Sequence, residues 1–284
     1  MKEHDFINII KILVGNRHIG DDCAYLEDLG IVITQDNFIE DVHFKYLWAT
    51  PYQIGYKAAI VNISDVLASG AEPKYITVGL SIPNLGENFI KEFYRGVLAG
   101  CNGAEIIGGD ITYSEKICIS ITAIGTTSGR KIASRKNAKS GYVVVTKGDY
   151  GKSSAGLKEL MNQGNNIELI TAHLEPKLNP EFSKFISENA KVDYAMMDTS
   201  DGLADALFQI AKASNVKIVS RNIEGMFGAE DYNLVAVVPA EFALTIPDCN
   251  IIGKVVDYDG YFLEIEGKKY SEYDELNTYN HFGD

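Results

Sequence analysis

The chain has 284 residues, with 26 Lys+Arg against 39 Asp+Glu and a formal net charge of −13. Hydrophobic residues at 46% and aromatics at 10% exclude a disordered chain, and the length allows one large domain or two modest ones. The negative balance disfavours a nucleic-acid partner, because a polyanion is repelled unless a local basic face exists.

Along the chain, the N-terminal MKEHDFINIIKILVG places Phe6, Ile9, Ile10 and Leu13 at helical spacing. An amphipathic helix packed on the protein is expected there; a signal peptide would need a continuous apolar run. Residues 30–35, 74–82, 116–125 and 142–146 are rich in β-branched side chains and read as strands. Residues 52–70, 87–103 and 153–164 read as helices, each running into a terminal glycine. A polar segment between Ser128 and Ser140 carries Arg130, Lys131, Arg135, Lys136 and Lys139 without an acid. It is expected to divide the chain into domains 1–135 and 136–284, with solvated cations on the linker. The second half repeats the mixture, with strands at 193–197, 216–220, 233–238, 251–256 and 261–266 and a helix at 201–214. The fold class is therefore α/β (α+β) in two domains. No apolar stretch approaches the ~20 residues of a membrane span, and Cys23, Cys101, Cys118 and Cys249 show no ligand spacing. Reduced thiols and a cytoplasmic location are expected.

The aspartates carry the chemistry. Gly20-Asp21-Asp22, Thr34-Gln35-Asp36, Asn62-Ile63-Ser64-Asp65, Gly108-Gly109-Asp110 and Asp198-Thr199-Ser200-Asp201-Gly202 each couple an acid to glycine, hydroxyl or amide neighbours. Asp36 and Asp110 are expected to follow strands, and Asp201 is a candidate helix cap before Gly202. Asp65 differs, because it interrupts an apolar helical run and an acid there costs free energy unless something compensates it. Taken singly, each acid could simply cap a helix or close a turn. Converging, they repel by roughly 3 kcal/mol per pair about 5 Å apart at an effective dielectric near 20. Hard oxygen ligands of that kind suit Mg²⁺ and, through it, the phosphates of a nucleotide. Gly148-Asp149-Tyr150-Gly151-Lys152-Ser153 looks like the end of a P-loop, but Thr146 stands where its first glycine is required.

The stretches GDDCAYL (20–26), TQDNFIEDVHF (34–44), KAAIVNISDVLASGAEP (57–73), GGDIT (108–112), GRKIASRKNAKSG (129–141), YGKSSAGL (150–157), MMDTSDGL (196–203) and GAEDY (228–232) occur in one order. As a set they resemble the thiamine-monophosphate kinase family, of the superfamily that includes aminoimidazole ribonucleotide synthetase and selenophosphate synthetase. The resemblance implies two α/β domains, a homodimer formed through the N-terminal halves, and transfer of the ATP γ-phosphate onto thiamine monophosphate. It puts several Mg²⁺ ions on Asp22, Thr34, Asp36, Asp65, Asp110, Asp198 and Asp201. It places Gly109, Asp110, Arg135 and Ser200 at ATP, and His43 and Glu230 at thiamine monophosphate. In this chain Gln35 replaces a usual hydroxyl, Ala229 replaces a glycine, and Leu276 stands at an aromatic substrate-stacking position. Two other readings stay open: a superfamily enzyme with another small acceptor, and a binding protein without turnover.

Overall fold

Alternating burial along residues 31–39 and 118–126 makes these segments the centre of a first sheet with one face covered. The computed structural model describes residues 3–15 and 18–276. A first helix, α1 (Glu3–Val14), precedes β1 (Ala24–Leu26), β2 (Ile31–Ile39), α2 (Pro51–Ala68), β3 (Glu72–Ile82), α3 (Gly86–Gly100), β4 (Glu105–Tyr113) and β5 (Cys118–Thr126). The strand order is β1-β2-β5-β3-β4, with only β3 and β4 parallel and α3 as their crossover.

Helix α2 is the pivot of the molecule. Thr50 and Gln53 form a capping box at its start, and Pro51 takes the first helical position, where its missing N–H costs nothing. It lacks a wide polar face because it is covered from several sides, by β2, β5 and α3 and by the second half of the chain. Its backbone comes so close to α3 that a Cβ on Gly96 would lie 1.9 Å from the Tyr52 carbonyl oxygen, and one on Gly55 2.1 Å from that of Phe93.

The second half contributes β6 (Tyr142–Thr146), α4 (Lys152–Met161), α5 (Ile167–Leu174), α6 (Pro180–Asn189), β7 (Ala195–Asp198) and α7 (Leu203–Ser214). After these come β8 (Val216–Ser220), β9 (Leu234–Pro239), α8 (Ala240–Ala243), β10 (Asn250–Asp257), β11 (Leu263–Ile265) and β12 (Lys268–Tyr270). Its sheet runs β12-β11-β8-β10-β6-β9-β7. Strand β9 is buried on both faces: Leu234, Ala236 and Val238 join the core around α2, whereas Val235 and Val237 join a second core around α7. The α2 core thus spans both sheets. Among the described residues no helix is long and apolar enough to cross a membrane.

The structure departs from expectation in three places. Helix α1 forms, but its apolar face is only partly covered: Phe6, Ile9 and Ile10 keep 40–48% of their surface and Leu13 79%. Asp36 and Asp110 lie inside β2 and β4 rather than after strands. In β4 the glycines do not break the strand: Gly109 has φ +154 and lies where a Cβ would meet the Val78 backbone 1.9 Å away, beside a shift in the β3–β4 register. In the segment around 130, Arg130 pairs with Glu188 at 3.5 Å and Lys131 with Asp193 at 2.9 Å, whereas Lys136 and Lys139 are exposed as expected.

Candidate functional site

Asp22 precedes β1, Asp65 lies in α2 and Asp198 ends β7, yet one carboxylate oxygen from each falls within 4.8 Å of the others. Three segments far apart in sequence therefore meet where the two sheets face each other across α2. Thr34 Oγ1 donates to Asp65 Oδ2 at 2.6 Å, and Ser64 Oγ donates to Asp198 Oδ2 at 2.6 Å. Asp36 lies two residues beyond Thr34, on the same face of β2, and its N–H donates to Asn62 Oδ1 at 3.0 Å. Ser200 Oγ donates to Asp198 Oδ1 at 3.1 Å.

The electrostatics show a site short of positive charge. Burial, then the neighbouring Asp36, Asp198 and Asp22, push the Asp65 carboxyl well above its ordinary range. Burial and Asp22 push Asp198 up to about 7. Arg135 is the cation that enters: its guanidinium donates to Asp22 Oδ1 at 2.8 Å and to Gln209 Oε1 at 2.7 Å. Gln209 in turn donates to Asp205 Oδ2 at 2.7 Å, so α7 fixes the fork of Arg135. Burial works against the charge of Arg135, but Asp22, Asp198 and Asp21 hold it protonated. Its Nε is buried without a hydrogen-bond partner. One arginine against this set of acids leaves an all-oxygen cluster suited to a hard divalent cation.

Neighbouring acids divide between structural and cluster roles. Asp21 accepts from Ser134 Oγ at 2.9 Å and from the Arg135 N–H at 2.8 Å, closing the turn that presents Arg135. Asp201 does not cap α7: Gly202 holds the cap position at φ +107, with no side-chain cap. Asp201, together with Glu230, Asp198 and Asp36, instead contributes to raising the buried Tyr232 hydroxyl, after the larger effect of burial. Asp231 accepts from the N–H groups of Gly151 (2.6 Å) and Ser153 (3.0 Å), so the start of α4 is already held by the protein's own carboxylate. The GDYGKS segment is thus a helix start and not a phosphate cradle.

Glu230 stands in the loop before β9 with φ +65, and its N–H donates to the Ser200 carbonyl at 2.6 Å. It therefore adjoins the Asp198–Asp201 turn. Its carboxylate lies 3.2 Å from Lys57 Nζ and 3.5 Å from His173 Nδ1. Lys57, His173 and Gln209 were not foreseen from the sequence, and of these only Lys57 carried a signal, as a cation inside an apolar helix; Asn62 and Ser64, named there only as neighbours of Asp65, serve Asp36 and Asp198 instead. His43 sits in the turn after β2, accepts the Ile39 N–H at Nδ1 (3.0 Å) and stacks on Phe38. Leu276 is buried in the core around α7 rather than forming an exposed wall.

Gly109 and Asp110 are not brought to the cluster within one chain. Asp110 registers with Gly79, Ser120 and Asn37 on the face of the first sheet opposite α2, and it helps line a groove there with Ser81 and Thr112. Three strand spacings separate β4 from β2, about 14 Å.

Residues 20–127 match the family model described as AIR synthase related protein, N-terminal domain. A thiamine-monophosphate kinase of Aquifex aeolicus is 33% identical, the alignment covering 94% of this chain and 95% of that protein. The chain belongs to the thiamine-monophosphate kinase family. The family's Bacillus subtilis member is 31% identical, with 93% of each chain covered. The solved structure of AaThiL complexed with AMPPCP and TMP superposes at a TM-score of 0.89, with 32% identity over 99% of this chain and 97% of that one. The thiamine-monophosphate kinase likeness therefore extends through both sheets, beyond the N-terminal region that the family model matches.

Proposed function

We propose that this chain transfers the γ-phosphoryl group of ATP onto thiamine monophosphate to give thiamine diphosphate, by in-line displacement at the acid cluster. The observation that carries the reading is the convergence of Asp22, Asp65 and Asp198 beside Arg135. The names of the relatives, and AaThiL's complex with AMPPCP and TMP, support the same substrates. Phosphoryl transfer needs charge neutralisation and alignment more than proton transfer, so acids outnumbering general bases fit this chemistry. The donor set of Asp22, Thr34, Asp36, Asp65, Asp198 and Asp201 would hold several Mg²⁺ ions, which when bound neutralise the triphosphate. Arg135 is poised to exchange part of its pairing with Asp22 for a phosphate oxygen. Ser64 and Ser200 keep Asp198 oriented, and Thr34 does so for Asp65. Glu230 offers its carboxylate to the cationic acceptor, and His43, held in the turn after β2, stands on the same acceptor side in this reading.

In this reading the working unit is a homodimer. Strand β4 is the open edge of its sheet and exposes Ile107, Ile111 and Tyr113, an edge that invites pairing with another copy. Because Asp110 and the cluster lie on opposite faces of one sheet, a role for Gly109 and Asp110 at the same nucleotide requires a second copy to bring them there. In this reading the chain divides into domains 1–135 and 136–284, and the separation of the described strands into two sheets supports that division. The four cysteines are free in the structure, which suits a cytoplasmic enzyme.

A coupled assay with purified protein, Mg·ATP and thiamine monophosphate tests the reading. Thiamine diphosphate is the expected product. ATP hydrolysis or binding without that product would overturn it.

A further inference from the structure

Lys57 is the residue that the cluster chemistry leaves unexplained. It lies within α2 between Tyr56 and Ala58, and its side chain is only 3% exposed. A buried ammonium is costly unless a counter-charge sits beside it. The counter-charge is the Glu230 carboxylate, with Oε1 3.2 Å from Nζ, although the geometry does not meet that of a hydrogen bond. Burial lowers the Lys57 ammonium from its ordinary value, and Glu230 opposes that shift.

The other carboxylate oxygen is engaged from a different element. His173 of α5 places Nδ1 3.5 Å from Glu230 Oε2 and 3.1 Å from Ser153 Oγ of α4. Burial, with Lys57 nearby, pushes the His173 imidazole down to about 4, so near neutral pH it stands beside Glu230 as an uncharged ring. Glu230 remains 23% exposed, so one side of its carboxylate is still open. Its backbone is pinned as well, by the bond to Ser200 and the left-handed φ.

We propose that Lys57 is a positioning residue: from the N-terminal half it holds the Glu230 carboxylate, carried by the C-terminal half, in the orientation that meets the acceptor. The inference rests on the thiamine monophosphate reading and adds a residue that acts only through Glu230. Lys57 itself has no exposed nitrogen surface with which to touch a ligand. A tether across the two halves also links the placement of the acceptor to the closeness of the two sheets.

The test compares Lys57→Met, Lys57→Arg, Glu230→Gln and the double variant Lys57→Met/Glu230→Gln, measuring kcat and the separate KM values for thiamine monophosphate and ATP. Lys57→Met is expected to raise the KM for thiamine monophosphate about tenfold while the KM for ATP stays within about twofold, and Lys57→Arg to restore most of the loss. The double variant should be no worse than Glu230→Gln alone, since Lys57 then has nothing left to position. If Lys57→Met does not fold, the comparison of Glu230→Gln with the double variant decides, because removing both charges together avoids an unpaired buried ion. Additive losses, equal increases in both KM values, or a Glu230→Gln protein with an unchanged KM for thiamine monophosphate would overturn the inference. A wild-type protein that leaves thiamine monophosphate unphosphorylated overturns the functional reading first, and this inference with it.

Discussion

Asp65 shows how much a single side chain in this molecule depends on its surroundings. It sits in an apolar helix, accepts from Thr34 at 2.6 Å, and faces Asp22 and Asp198 within 4.8 Å. Asp65→Asn removes a charge without changing the shape of the cluster, so activity is expected to fall by at least about 100-fold while the apo protein gains stability from relieved repulsion. Steady-state kinetics and urea unfolding of the same variant check both halves of that statement; lost activity accompanied by lost stability would point to a structural acid. His173 gives the pH dependence. Well above pH 6.5 the ring is neutral in folded and unfolded chains alike and contributes nothing. As pH falls the unfolded ring takes up its proton first, because the folded value is about 4, and stability is lost across that window. Relative to His173→Gln, wild type should lose roughly 3 kcal/mol between pH 6.5 and pH 4, read from urea unfolding curves; parallel pH profiles would contradict the burial of a neutral ring.

At the scale of elements, the contact between α2 and α3 holds the acid-bearing helix in place. Gly96→Ala would set a methyl 1.9 Å from the Tyr52 carbonyl oxygen, although alanine is the better helix former. A destabilisation of about 2 kcal/mol or more is expected in thermal unfolding, and a neutral result would mean that the helices can part freely. Helix α2 was legible in the sequence because its apolar run and its start signals agree; the acid within that run marked the site. The strands at 30–35 and 116–125 were legible from their β-branched side chains, although β2 runs on to Ile39. Strand β4 was not, because two glycines and an acid outweigh its local preference until β3 supplies the ladder. Nor were α5 and α6 read at all, since their short apolar faces have meaning only against α2 and α4. The same limit applies to the site. The motif acids could be named, but the split between Asp22 at the cluster and Asp21 closing a turn depends on where Ser134 arrives. Likewise Asp110 could be named as an acid, but its face of the sheet could not.

On the scale of the whole molecule, the placement of Asp110 across the sheet from Asp65 has a consequence for assembly. If the nucleotide site takes Asp65 from one copy and Asp110 from its partner, then Asp65→Asn and Asp110→Asn proteins, each inactive alone, should complement when mixed. Statistical mixing leaves one intact site in each mixed dimer, so about a quarter of wild-type activity should return. No recovery in a mixture shown to exchange subunits would confine the site to one chain and remove Asp110 from it. The exposed apolar residues of β4 and α1 agree with an assembly larger than one chain.

All of this depends on the acids from three segments acting as one cation-binding centre. The most direct measurement is anomalous diffraction from crystals grown with Mn²⁺ and a non-hydrolysable ATP analogue. An anomalous peak coordinated by Asp22, Asp65 and Asp198 is the expected result; an ordered nucleotide with no metal peak among those three carboxylates would contradict it.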